Sequence, residues 1–344
     1  MSRGTLRRPL WFALGLFLFL SGELFAGGSQ EAEDPEARSG ELTVFVSILP
    51  QTYFVERLGG ETVNVTALVP PGRGPATYEP SPRQVTALAA ADVYFNIGVP
   101  FEAGFLPRIR ENLPQLLIVD SAKNVEKRYL ESHDHDEEHP EGDEHEADEH
   151  DADHNGDEAD DHGAGHSEEH DDAHVEDGPH GRGRPDPHVW LGPEEVLQQI
   201  AVIRDTLIDL NPGKEELYRS NHDELAREIR ALEAELREEL SPLRGETFYV
   251  YHPSFGYFGD TFGLEQVAIE TGGDEPTPAQ LQRIISRARE EEVKVIFVQP
   301  QFSQTAANRV AEAIDGAVIS INHLSPDWFE TMRTIARALE EGLR

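Results

Sequence analysis

A tract rich in histidine and acidic residues occupies residues 131–180. It contains 11 histidines, 23 Asp or Glu residues and no Lys or Arg. Neutral imidazole is the commonest side-chain metal ligand near neutral pH, and neighbouring carboxylates add further sites for a borderline ion such as Zn²⁺. An acidic segment that only solvates a protein needs no histidine every four or five residues. The tract therefore indicates contact with divalent metal, without indicating what is done with it.

The same tract is unsuited to forming a core. Its hydrophobic side chains are a few alanines and one valine, so burial cannot offset the entropy cost of ordering the chain. We therefore expect residues 131–181 to be disordered without metal. Of the 37 excess negative charges of the chain, 23 lie in this tract, and the remainder is only moderately acidic. This balance argues against nucleic acid as a partner, because binding to phosphates requires a basic surface.

Three histidines outside the tract lie near the predicted ends of strands, namely His188 in DPHVW, His252 in YHP and His323 in INHL. Ligands in α/β folds bind at the carboxyl ends of parallel strands. Each of these residues alone is as compatible with an ordinary hydrogen-bonded histidine as with a ligand, but together they favour a metal site. The fourth histidine, His222, lies in a charged helix and is interpreted as a solvated side chain.

Four longer segments carry a resemblance to a known family. They are PPGRGPATYEP (70–80), DPHVW (186–190), HPSFGYF (252–258) and FVQPQFS (297–303). In this order, and with the histidine-rich tract before the second of them, they resemble the zinc and manganese solute-binding proteins of ABC importers. The resemblance covers essentially the whole chain after its N-terminal segment. It implies two α/β lobes tied by a rigid helix, with one metal in the cleft between them. Nitrogen-rich ligation favours Zn²⁺ over Mn²⁺ as that metal.

The resemblance also implies a set of four metal ligands, of which this chain retains two. His188 and His252 match the family's second and third ligands. Ala76 stands where the family has its first histidine, and Asn322 aligns best with the acidic fourth ligand. An alanine has no donor atom, and a neutral amide oxygen is a weak ligand for zinc. Two positions of the coordination shell are therefore open.

Three completions of the shell remain as alternatives. His323 gives a three-histidine site that a water molecule would make tetrahedral, although neighbouring side chains on an extended segment point apart. Glu79 lies three residues beyond Ala76, about one helical turn away, and would add negative charge; its structural alternative is a carboxylate favoured by a helix N-terminus. A histidine of the tract is the third possibility. Our predicted metal ligands are His188, His252, His323 and Glu79.

The elements that must position these residues follow from apolar runs alternating with amphipathic stretches. Strands are predicted at residues 42–48, 62–69, 93–97, 116–119, 247–251, 293–298 and 317–321. Helices are predicted at residues 51–58, 81–91, 193–210, 214–240, 278–290, 303–314 and 326–342, and a further helical stretch, closed at Pro114, precedes the strand at 116–119. The expected fold is α/β, with two lobes of mostly parallel sheet, residues 40–212 and 242–344, joined by one long backbone helix, residues 213–241.

The N-terminal residues predict export. Three arginines precede an apolar run of about 11 residues, which is too short to span a bilayer, and small residues follow it. We interpret residues 1–26 as a signal peptide. The sequence contains no cysteine, so we expect neither lipidation nor disulfides, and we predict a monomeric periplasmic protein that meets the membrane only through its importer.

Three functions from different classes fit these observations. The first is capture of Zn²⁺ for the permease of an ABC importer, with the tract acting as a low-affinity collector. The second is a periplasmic zinc buffer or metallochaperone not coupled to import. The third is a zinc hydrolase, which no His-Glu-x-x-His motif supports, so we expect the protein not to be an enzyme.

Overall fold

A computed structural model describes residues 40–130, 184–270, 276–302 and 304–344 of the chain. The predicted signal peptide (1–26) and the histidine-rich segment (131–181) therefore lie outside the described residues. Within those residues, no helix combines the length and the apolar character needed to cross a membrane.

Two four-stranded parallel sheets form the framework. The first contains β1 (Leu42–Val46), β2 (Val63–Ala67), β3 (Val93–Asn96) and β4 (Leu117–Asp120), in the order β2-β1-β3-β4. The second contains β5 (Thr247–Val250), β6 (Glu265–Ala268), β7 (Val295–Val298) and β8 (Ala317–Ser320), in the equivalent order β6-β5-β7-β8. All neighbouring strands pair in parallel. The predicted α/β class with two parallel sheets is confirmed.

Helices connect the strands, as parallel pairing requires. They are α1 (Leu49–Gly59), α2 (Pro82–Leu88), α3 (Phe101–Asn112), α4 (Pro193–Leu210), α5 (Glu215–Glu239), α6 (Gly256–Phe262), α7 (Pro278–Glu290), α8 (Gln304–Ala313) and α9 (Trp328–Leu343). The sequence did not predict α6 and β6. At seven and four residues they are too short for a periodic signal, and Gly263, at φ 77°, separates them.

The long helix α5 joins the two sheets along the chain, as predicted. Its buried stripe consists of Tyr218, Leu225, Ile229, Leu232 and Leu236, together with Ala226. Leu217, the residue before Tyr218, is exposed. Tyr218 precedes Leu225 by seven residues, two helical turns, and so lies on the same face. The Tyr218 hydroxyl also hydrogen-bonds Thr62 Oγ1 at 2.8 Å, which fixes α5 to the first lobe.

The last helix returns to the first lobe. Trp328 packs edge-on against Phe54 of α1, with ring centroids 5.7 Å apart, and Phe329 lies 5.9 Å from Tyr53. Trp328 also donates from Nε1 to the carbonyl of Trp190 at 2.6 Å. The two lobes therefore share one hydrophobic core around α1, α4, α5 and α9.

Candidate metal centre

His188 lies on the first-lobe side of the site and is almost fully buried. Asp186 accepts from the His188 backbone N–H at 3.0 Å, and the same oxygen lies 2.7 Å from the ring atom Nδ1. A single turn of 3₁₀ helix follows at Val189–Leu191. The expectation that His188 ends a strand of a sheet is wrong, because this segment makes only an isolated bridge between Tyr129 and Pro185.

His252 lies on the second-lobe side, two residues beyond the end of β5. Its Nδ1 lies 2.6 Å from Oε1 of Glu270, which is buried just past β6. Its ring stacks on Phe302, with centroids 4.4 Å apart and planes at 22°. Glu270 was not identified from the sequence. The only available signal was its place at the carboxyl end of β6, a strand that was itself missed.

The two imidazoles converge on one point. Nε2 of His188 and Nε2 of His252 lie 3.2 Å apart. A neutral imidazole that donates from Nδ1 to a carboxylate carries a lone pair on Nε2. In this tautomer the two lone pairs face each other and repel unless a cation lies between them. Two nitrogens bound to one tetrahedral zinc would be about 3.3 Å apart, close to the observed 3.2 Å.

His323 completes the cluster from the loop after β8. Its ring is buried, 5.9 Å from the His188 centroid, and stacks on Trp190 with planes at 15°. Its carbonyl accepts from Trp190 Nε1 at 3.0 Å. Its Nδ1 is buried and finds no hydrogen-bond partner among the described residues. Asn322, the neighbouring residue, is exposed and bonded to Gln301, so the two side chains do point apart.

The three rings are close but do not yet form a complete shell. Rings bound to one tetrahedral zinc have centroids about 5.2 Å apart. The His188 and His252 centroids match this at 5.1 Å, whereas His188 and His323 are separated by 5.9 Å. Accordingly, no set of three His, Asp or Glu side chains already holds metal geometry in the part of the chain that the structure describes. A small movement of His323 would be needed for it to ligate.

Glu79 belongs to no group of three or more side chains that could hold a metal ion in the described part of the chain. Both Glu79 and Ala76 are exposed, and the Glu79 side chain has no hydrogen bond or ion pair within the described ranges. The expected helical turn between these two residues is wrong, because α2 begins only at Pro82, after its N-cap Ser81. Pro75 and Pro80 favour an extended loop over this stretch.

His222 and the aromatic residues of the third motif can also be placed. His222 is less solvated than predicted, since its side chain is 14% exposed and lies against Arg204 of α4. The aromatic residues in and before this motif are buried; they are Tyr249, Tyr251, Phe255, Tyr257 and Phe258.

Burial keeps His188 and His323 in the form that binds metal. It lowers the pKa of His188, although Asp186 acts in the opposite direction. The pKa of His323 is lowered well below its usual value by burial and by the neighbouring His188 and His252. Burial alone would raise the pKa of Asp186, but His188 and Arg128 outweigh it and the pKa is lowered. At neutral pH His188 and His323 are therefore neutral imidazoles, and the Asp186 carboxylate beside His188 is ionised.

Comparison with known proteins agrees with this arrangement. The zinc-uptake complex component A family of periplasmic proteins, ZnuA, matches residues 44–342. The chain belongs to this family. ZnuA-family proteins are metal-binding solute-binding proteins of zinc and manganese uptake systems, and they work with ABC importer permeases.

Individual relatives in the ZnuA family differ in their named metal. A manganese-binding lipoprotein, MntA, from Halalkalibacterium halodurans is 24% identical over 311 residues, which cover 88% of this chain and 87% of MntA. A high-affinity zinc uptake system protein, ZnuA, from Yersinia pestis is 26% identical over 284 residues, 78% of this chain and 79% of the relative. Family membership thus establishes divalent metal binding, and the choice between the two ions rests on this chain's own ligands.

Solved structures show the same fold. A crystal structure of ZnuA superposes with a TM-score of 0.72 at 29% identity, covering 88% of this chain and 99% of that one. A zinc-bound deletion mutant of ZnuA gives a TM-score of 0.70 at 28% identity, covering 88% and 98%. Both are two-lobe binding proteins of the ZnuA type.

Proposed function

We propose that this protein captures Zn²⁺ outside the cytoplasm and delivers it to the permease of an ABC importer. The observation that carries the proposal is the 3.2 Å separation of the Nε2 atoms of His188 and His252. Imidazole nitrogen suits zinc, whereas manganese prefers carboxylate, carbonyl and water oxygens. A centre whose two converging donors are both imidazoles therefore favours zinc over manganese.

The carboxylates of the site support the same choice. Asp186 and Glu270 each lie against an imidazole Nδ1, at 2.7 and 2.6 Å, and not at the point where the two Nε2 atoms meet. In this position they orient the rings, raise the basicity of Nε2 and partly compensate the charge of a divalent ion. They do not supply the direct oxygen ligation that a manganese site would use.

We assign the third ligand to His323 in preference to Glu79. The His323 ring is buried beside His188 and its Nδ1 lacks a partner within the described residues. Unpartnered buried polar atoms are costly, and bound metal would give this ring a partner. Glu79 is exposed and would have to move its loop to reach the two Nε2 atoms.

The regions outside the described residues enter the proposal from their sequence. Residues 1–26 act as a signal peptide that exports the chain to the periplasm without lipidation. The tract at 131–181 collects zinc at low affinity and raises its local concentration beside the cleft. The exported protein acts as a monomer and has no enzymatic activity.

Calorimetric titration of the full-length protein tests this function. Zinc titrated into wild type should show one tight site and several weak ones, and excess manganese should not displace the tightly bound zinc. His188→Ala and His252→Ala should each lose the tight site. His222→Ala is the matched control and should retain it. Displacement of tight zinc by an equal concentration of manganese would contradict the zinc assignment.

A zinc buffer uncoupled from import is the second candidate, because Ala76 lacks the ligand that the family resemblance implies there. Uptake of radioactive zinc into proteoliposomes that contain the permease separates the two candidates. Import requires that addition of zinc-loaded protein increases uptake above that given by an equal amount of free zinc. A protein that only buffers zinc would decrease zinc uptake below that level.

A further inference from the structure

We propose that Arg128 is a positioning residue for the metal centre, and that it couples the orientation of His188 to the contact between the two lobes. This inference rests on the proposed metal site. Arg128 belongs to the segment that leads into the histidine-rich tract, and nothing in its sequence context suggested a role.

The backbone places Arg128 beside the segment that carries His188. The carbonyl of Arg128 accepts from the Asp186 N–H at 2.9 Å, and the Leu130 N–H donates to the Arg184 carbonyl at 2.9 Å. A bridge between Tyr129 and Pro185 lies between these bonds. The chain entering the tract and the chain leaving it are therefore paired, two residues from His188.

The side chain of Arg128 then reaches the carboxylate that holds His188. Nη1 of Arg128 donates to Oδ2 of Asp186 at 3.1 Å, while Oδ1 of Asp186 faces His188 Nδ1 at 2.7 Å. Asp186 is completely buried. Each of its two carboxylate oxygens has one side-chain partner. Arg128 thus holds the second oxygen of the carboxylate whose first oxygen lies against His188 Nδ1, and so fixes the orientation of the His188 ring.

The same arginine contacts the second lobe. Its Nε lies 3.2 Å from Oδ2 of Asp260 on α6, an ion pair without hydrogen-bond geometry. Its guanidinium lies 6.0 Å from the ring centroid of Tyr257, and its backbone N–H donates to the Tyr257 hydroxyl at 3.1 Å. That hydroxyl donates to the Asp186 carbonyl at 3.3 Å. Helix α6 of the second lobe therefore fixes Arg128, and Arg128 in turn fixes Asp186.

Gly256 provides the space for this contact. A Cβ atom at position 256 would lie 1.3 Å from Nη1 and 2.2 Å from Cζ of Arg128. The φ of Gly256 is not positive, so the backbone accepts alanine and only the guanidinium has to move. Gly256→Ala is therefore a way to displace Arg128 from Asp186 without changing its charge.

The test measures zinc affinity and the cobalt spectrum of the full-length protein. Zinc affinity is determined by competition with a chelating dye. The visible spectrum is recorded with one equivalent of Co²⁺, and the spectrum of His188→Ala is subtracted to remove the contribution of the tract. Arg128→Met and Gly256→Ala should each lower zinc affinity about tenfold and change the cobalt bands, as expected when the support of a ligand is lost.

Two further comparisons sharpen the result. The double variant should be no worse than Arg128→Met alone, because both changes break one interaction. Arg128→Lys should retain part of the zinc affinity that Arg128→Met loses, since lysine keeps the positive charge but lacks the planar guanidinium. Arg219→Met removes an exposed ion pair to Glu215, and Gly104→Ala adds a methyl group to open space; both controls should match wild type.

The possible failures are distinguishable. If Arg128→Met and Gly256→Ala melt at lower temperature but keep wild-type zinc affinity and cobalt bands, Arg128 is only structural and the inference is overturned. If Arg128→Met does not fold, the affinity and spectrum of Gly256→Ala decide. If His188→Ala itself retains wild-type zinc affinity, the proposed metal site is wrong.

Discussion

His188 and His252 point their Nε2 atoms at each other across 3.2 Å, although the first residue belongs to one lobe and the second to the other. Each ring is held from behind by a buried carboxylate, Asp186 or Glu270. Two lone pairs are thereby brought together by the fold, and a cation between them relieves their repulsion. Metal binding and the contact between the lobes are therefore expected to stabilise one another.

The carboxylate behind His252 provides a first prediction. Glu270→Gln keeps the size of the side chain but replaces the carboxylate that lies against His252 Nδ1. We expect zinc affinity to fall roughly 10- to 100-fold, the usual effect of losing such a partner. Competition with a chelator measures the zinc affinity. Glu265→Gln, an exposed position on β6, is the control, and equal affinities for the two variants would contradict the assigned role.

A second prediction separates the two candidates for the third ligand. His323→Ala should weaken zinc binding at least about tenfold, since an imidazole ligand is lost. Glu79→Ala should change it less than about twofold, because exposed charges contribute little. The reverse order in the same competition assay would assign the ligand to Glu79.

The stability of the metal-free protein should depend on pH. Burial lowers the pKa of His188 and of His323 in the folded state. The unfolded chain, with histidine pKa values of about 6.5, therefore binds protons at a pH at which the folded chain does not yet bind them. This contribution to stability is present above pH ~6.5 and is lost as the pH falls through the lowered folded-state values.

Urea unfolding of the metal-free protein at pH 7.5 and pH 5 measures this effect. His323→Phe removes one of the two buried rings and should lose less stability over this interval than wild type. An unchanged loss of unfolding free energy would show that His323 does not titrate with a lowered pKa.

Zinc should stabilise the folded protein through the two-lobe centre. At a free zinc concentration 100 times the dissociation constant, ligand linkage adds about 2.7 kcal/mol to the unfolding free energy. The thermal midpoint should rise accordingly. A variant that combines His188→Ala with His252→Ala should lose this rise, and an undiminished rise in that variant would place the stabilising metal elsewhere.

The histidine-rich tract should be separable from the tight site. Deletion of residues 131–180 removes 11 histidines and is expected to abolish the weak zinc sites in a calorimetric titration. The tight site should remain with one zinc per chain. Loss of the tight site on deletion would mean that a histidine of the tract is one of its ligands.

Much of the framework could be predicted because its signals are local. Apolar runs located seven of the eight strands, and helices α4 and α7 agree with their predicted bounds, since Pro193 and Pro278 mark their first turns. The motif histidines were identifiable because of their positions in DPHVW, YHP and INHL.

The supporting residues could not be predicted, because their roles depend on contacts distant in sequence. Glu270 meets His252 from 18 residues away, and Arg128 meets Asp186 from 58 residues away, across the tract. Glu79 was favoured on the assumption of a helical turn that the prolines of its loop prevent. The types and spacing of the residues therefore indicated the donor atoms. The carboxylates and the arginine that orient those donors could be identified only from the fold.

The most direct test of the central claim is anomalous diffraction at the zinc edge from crystals of the protein loaded with one equivalent of Zn²⁺. We predict a single strong peak about 2.0–2.1 Å from Nε2 of both His188 and His252. A strong peak bound by other residues, with those two nitrogens unligated, would contradict it.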